Sequence, residues 1–301
     1  MIFVPLALAL QLVVQQSTDS AVTRAKEAIK PLVDSVALRD AGFFPIGFGV
    51  GTRDLTPFQG QHWLSLGRFA NNQPVTLTRP TFMMYLPVND SLIPIGVAYS
   101  RRIPVDSAQP TDLAGAPAEW HNHVICRAIP GEGQVITDGV DDCKARGGTP
   151  PPNQISMVHV WIVPNPDGVY AHDNPALPFI ATGLTPPARL TSDDRLFAVA
   201  LGETYGAKLF VAHRIDRDAA KAGTRSRLDE KRSALRQIVP QLRDAQRARD
   251  ATKFGVLRKQ LIDAWGALAD EYRAVAATPE MRTRFDVELG QALGAHVHHG
   301  G

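Results

Sequence analysis

The chain has 301 residues, 44% hydrophobic and 21% charged, with 24 Gly and 23 Pro. That is enough to bury a substantial core, and the composition is too balanced for a low-complexity polymer. A formal net charge of +2 leaves no electrostatic footprint for nucleic acid or an anionic membrane, so neither is expected as a partner.

Ile2 to Val14 is almost wholly apolar and turns polar at Gln15. A membrane span needs about 20 apolar residues, so this run fits the hydrophobic region of a signal peptide over residues 1–16, although no basic segment precedes it. The competing reading is a buried N-terminal helix. Export predicts a periplasmic or secreted protein with no membrane span in the mature chain. Ala21 to Asp40 then carries Val22, Ala25, Ile29, Leu32, Val33 and Val36 at helical spacing, with Gly42 as a stop and Pro31 as a kink.

From Phe43 to about Pro187 the pattern changes to short apolar runs broken by Gly, Pro, Asn and Asp. Strands are predicted at residues 44–50, 62–69, 81–88, 92–100, 119–127, 155–163 and 169–172. No helical pattern alternates with them, which points to a mostly antiparallel β-sheet or barrel in an α+β fold. Cys126 and Cys143 are the two cysteines, and an oxidising compartment predicts a disulfide between them. Buried free thiols are the other reading.

After Pro187 helices return. Ser192 offers a cap for a helix over 193–201, with Asp193 and Asp194 at its positive end. Arg225 to Tyr272 is a long amphipathic stretch that Pro240 bends or splits, its Arg and Lys interleaved with Asp and Glu as on a solvated face. Thr278 and Pro279 open a last helix, followed by a tail containing His296, His298 and His299. The expected organisation is a signal peptide at 1–16, an α+β core at 17–210, and a helical region with a His-rich tail at 211–301.

Four of the nine histidines, His62, His121, His123 and His159, stand in the first six predicted strands, and His172 ends the last one. In Glu119-Trp120-His121-Asn122-His123, alternation puts Glu119, His121 and His123 on one face. His62 stands beside Trp63, and His159 sits between Val158 and Val160 near Trp161. Imidazoles from separate strands suit zinc, copper or non-haem iron, and catalysis needs three protein ligands with one position open. The expected metal ligands are therefore His62, His121, His123 and His159, with Glu119 as catalytic base or further ligand. Each histidine alone reads as a hydrogen-bonded core residue; the grouping shifts the balance.

Asn165-Pro166-Asp167-Gly168 predicts a type I turn closing a bulged hairpin. That register puts Asp173, rather than His172, beside His159; a plain four-residue loop would swap them. Gly47-Phe48-Gly49-Val50-Gly51 reads as a closely packed strand rather than a dinucleotide loop, and Met83-Met84 as core. Asn89-Asp90-Ser91 fits a glycosylation sequon. No nucleophile motif or phosphate loop is present.

The segments His62-Trp63, Pro80 to Tyr85, Trp120 to His123 and Met157 to Tyr170 resemble a group of uncharacterised secreted bacterial proteins that share aromatic-flanked histidines. The resemblance covers the middle half of the chain and implies export and grouped histidines, with no activity attached. The expected function is an exported transition-metal-binding protein, with a metalloenzyme acting on a small-molecule substrate as one form of it. The alternative is an envelope structural or binding protein whose histidines are structural and whose C-terminal helices form a homo-oligomer.

Overall fold

A computed structural model describes residues 6–46, 55–129, 133–137 and 139–294. The glycine run at 47–51 and the histidine tail lie outside the described residues. The chain divides into two compact units, Met1–Arg53 with Gln61–Asn174, and Asp54–Gly60 with Pro175–Gly301. This division, at Asn174/Pro175, falls earlier than the expected boundary at 210.

The first unit is a helix-backed antiparallel sheet. Helix α1 (Leu6–Ile29) ends just before Pro31, whose ring cannot continue a helix. Helix α2 (Ser35–Asp40) starts afresh, with the Asp34 carboxylate accepting from the Val36 and Ala37 amides. The single kinked helix expected over 21–40 is therefore two helices, and helix α1 reaches back to Leu6 through the segment expected as a signal peptide.

Strands β1 (Phe43–Ile46) and β2 (Gln61–Ser65) precede a short helix α3 (Leu66–Asn71). Strands β3 (Phe82–Val88) and β4 (Ser91–Pro104) form a hairpin whose tip carries Asn89 at φ 52°. A two-stranded ribbon, β5 (Asp112–Leu113) and β6 (Ala116–Pro117), leads to β7 (His121–Ile129), β8 (Gly133–Thr137), helix α4 (Val140–Ala145) and β9 (Asn153–Trp161). The main sheet has the order β1-β2-β3-β4-β9-β7-β8, and every pair in it is antiparallel.

Alternation gives this sheet two different faces. Trp63, Met83, Tyr85, Val97, Tyr99, Val158 and Val160 pack against Ala21, Ala25 and Ile29 of α1 and Leu38 of α2. On the opposite face, the register aligns His62 with Met84 and Gly96, His159 with Ala98 and Phe82, and His121 with Met157. A bulge between Met84 and Tyr85 breaks the β3–β4 register, which adds local twist and curl. Gly96 lets β4 and β9 approach closely: a Cβ there would come within 2.6 Å of the Val160 carbonyl oxygen.

A disulfide joins Cys126 of β7 to Cys143 of α4, as expected, with the Cα atoms 5.5 Å apart. It sits in a small core with Val124, Ile129 and Val135. Gly148 packs directly on it, since a Cβ at that position would lie 2.2 Å from the Cys126 sulfur.

The second unit is helical. Helices α5 (Leu177–Thr182), α6 (Ser192–Tyr205), α7 (Phe210–Lys221), α8 (Arg225–Arg247), α9 (Ala251–Val275) and α10 (Pro279–Ala292) enclose Leu201, Ile215, Leu235, Leu242, Leu261, Leu268 and Phe285. The cap of α6 is Thr191 rather than Ser192, in a reciprocal capping box with Asp194. Pro240 lies inside α8 without splitting it. The break comes instead after Arg247, where Arg249 takes φ 54° and Asp250 caps α9 by accepting from the Lys253 amide. Thr278 caps α10 as expected.

At the centre of this unit Arg232 is buried and donates to Asp216 at 2.9 Å and to the Tyr272 hydroxyl at 2.8 Å. The Tyr272 hydroxyl donates to Glu203 at 2.9 Å, and Lys208 donates to Asp216 at 2.6 Å. Burial raises the Glu203 carboxyl above its ordinary range. Burial also acts to raise Asp216, but the Lys208 and Arg232 cations outweigh it and bring that group down. No helix among the described residues is long and apolar enough to cross a membrane.

Candidate metal centre

His62 on β2 and His159 on β9 are three strands apart, about 14 Å on a flat sheet, yet their Nε2 atoms are 3.2 Å from each other. The curl of the sheet makes this meeting possible. Gly96 and Ala98, the β4 residues between them, carry too little side chain to obstruct it.

His159 is oriented from its other side, where Nδ1 lies 2.7 Å from the His172 carbonyl oxygen. A carbonyl only accepts, so Nδ1 carries the proton and Nε2 is left as a lone pair facing His62. A backbone carbonyl holding one ring nitrogen is also the usual way in which a metal-ligating imidazole is oriented. Two nitrogens bound to one tetrahedral zinc at 2.0–2.1 Å lie about 3.3 Å apart. The His62–His159 separation therefore suits a hydrogen bond or a shared ion.

The other imidazoles gather beside this pair. Ring centroids are 4.8 Å apart for His121 and His159, 4.9 Å for His121 and His123, and 3.9 Å for His121 and His172. One ligand nitrogen from each of His121, His123 and His172 lies within 4.8 Å of the other two, a spacing at which they could hold one metal ion. His121 is partly exposed, but both its ring nitrogens are buried, and neither has a hydrogen-bond partner among the described residues.

All four expected histidines thus come together. Glu119 does not join them: it is exposed, two residues before β7 begins. The fifth member is His172, ranked below Asp173 in the sequence, and it corrects that order. The expected turn forms, with the Gly168 amide donating to Asn165 O and the Asp167 amide to Asn165 Oδ1. No strand follows it, however, and the expected strand at 169–172 is a loop. Side chains tie that loop down: Asn165 Nδ2 donates to Asp173 O, Asn174 Nδ2 to Pro164 O and Trp161 Nε1 to Ala171 O. Anchored on both sides, the loop brings His172 to His121 without any strand register.

Burial and neighbouring imidazoles determine the charge state. Burial, reinforced by His123 and His172, pushes His62 down to about 3. Burial also holds His121 and His159 well below the ordinary value, with His172 and His159 adding to it for His121 and His62 and His172 for His159. These three rings are neutral at pH 7, the form in which imidazole binds a metal. Comparison of the chain with family models, curated proteins and solved structures found no match.

Proposed function

We propose that the imidazole cluster is a transition-metal centre in an exported protein, with His121, His123 and His172 as one ligand set and His62 and His159 adjoining it. The observation that carries this reading is the convergence of three ring nitrogens within 4.8 Å. The unpartnered nitrogens of His121 support it, because buried polar atoms normally find partners. An all-imidazole set without carboxylate favours zinc or copper, and iron is accepted by the same donors. Three protein ligands leave a coordination position for water or a substrate oxygen, so a metalloenzyme acting on a small molecule is the catalytic form of the proposal. The Cys126–Cys143 disulfide supports assembly in an oxidising compartment, periplasmic or extracellular.

The test is metal analysis of untagged full-length protein in which His296, His298 and His299 are replaced by Ala, so that the tail contributes nothing. About one equivalent of zinc, copper or iron per chain is expected. Less than about 0.2 equivalents, unchanged after incubation with zinc or copper, refutes the proposal.

The alternative, a structural or binding protein, draws support from the His159–His172 and His62–His159 contacts, which give those rings protein partners. It leaves His121 without one. The amphipathic face that motivates oligomerisation is buried within the second unit, at Leu228, Leu235, Leu242, Leu257, Leu261 and Leu268.

A further inference from the structure

We propose that the first unit carries a second ligand site, an oxyanion-binding cavity whose charge comes from Arg68 and Arg79. The cavity, of about 230 Å³, lies between α3, the segment after it, and β4. The polar residues lining it include Arg68, Arg79, Asn71 and Gln73, and no acidic residue lines it among the described residues.

Arg68 is preset for this role. Its Nη1 donates to the Pro80 carbonyl at 2.8 Å, and its guanidinium lies over the Phe43 ring, 5.1 Å from the centroid. Arg79 is exposed, and neither arginine is ion-paired among the described residues. Burial and the charge of Arg79 depress the Arg68 guanidinium, a direction that a bound anion reverses. Two cations, neutral donors and no carboxylate define a site for a phosphate- or sulfate-type group, in which charge-assisted hydrogen bonds supply the affinity. The site shares no residue with the histidine cluster, so it stands or falls independently of the metal proposal.

Inorganic phosphate, sulfate, acetate and glycerol phosphate would each be titrated into chelator-treated full-length protein, with binding followed by calorimetry and by amide chemical shifts. Saturable binding of phosphate or sulfate is expected, with acetate weaker. Tighter binding of glycerol phosphate than of phosphate identifies the natural ligand as an organic phosphate, and the reverse order identifies it as the free anion. Arg79→Gln, a change at an exposed position, should weaken binding by at least about tenfold. Arg68→Lys should weaken it too, and His121→Ala should leave it unchanged. Non-saturable shifts with every anion, or equal affinity in Arg79→Gln, would overturn the proposal.

Discussion

Each unit buries a polar cluster, and the two are built on opposite principles. In the helical unit, Arg232 and Lys208 face Asp216, Glu203 and Tyr272, and every cation meets an acceptor within 3.4 Å. That network satisfies itself. In the sheet unit, five imidazoles crowd together, and neither ring nitrogen of His121 has a hydrogen-bond partner among the described residues. Buried groups that satisfy one another need nothing from outside, whereas ring nitrogens within 4.8 Å of one another could hold a metal ion.

The largest expected effect probes the self-satisfied cluster. Arg232→Ala leaves buried Glu203 without its arginine partner and Asp216 with only Lys208 and the half-exposed Arg225, and should cost about 3–5 kcal/mol in chemical denaturation, with metal content per folded chain unchanged. A loss below about 1 kcal/mol would show that the network contributes little.

Acid separates the clusters next. The folded-state pKa values of His62, His121 and His159 lie below the unfolded value near 6.5. Below that pH the unfolded chain binds more protons, so stability falls as pH falls, by about 1.4 kcal/mol per pH unit for each imidazole. Between pH 7 and 5.5 the three together should cost metal-free protein roughly 3–4 kcal/mol. Asp216 acts in the same direction but in a more acidic window. Its pKa is lowered from 3.8, so its contribution is present above that value and disappears only as pH falls through the folded pKa. Denaturation midpoints that stay flat from pH 7 to 5.5 would contradict the charge states given to the imidazoles.

Removing the disulfide with Cys126→Ser and Cys143→Ser should cost about 3 kcal/mol, for a bridge spanning 17 residues. Because the bridge anchors β7 beyond the cluster, metal affinity should fall with it. The smallest effect belongs to His121→Ala. A ring whose nitrogens lack protein partners should change metal-free stability by no more than about 1 kcal/mol, while metal binding is lost. A loss of several kcal/mol without metal would make His121 structural.

The strands and the grouped histidines were legible because alternation is a local signal. His62, His121, His123 and His159 all lie on one face of the sheet, as side-chain alternation along β2, β7 and β9 requires. What brings His62 to His159 was not legible. It depends on curl, to which the Met84/Tyr85 bulge and Gly96 contribute through close approach between strands distant in sequence. His172 was misplaced because its position is set by hydrogen bonds across a loop rather than by strand register. Pro240 does not split its helix: Leu235, Val239 and Leu242 pack the helix on both sides of it, and tertiary burial outweighs one missing backbone bond. Strand β8 was missed because its Gly133-Gln134-Val135-Ile136-Thr137 run is too short and mixed to stand out between turns.

The most direct measurement is a zinc titration of the tail-substituted protein beside its His172→Ala variant. Saturation at about one equivalent, with affinity at least about 100-fold weaker in the variant, is the expected outcome. Equal affinity in both proteins, or no saturable binding in either, would mean that the converging imidazoles do not form a metal centre.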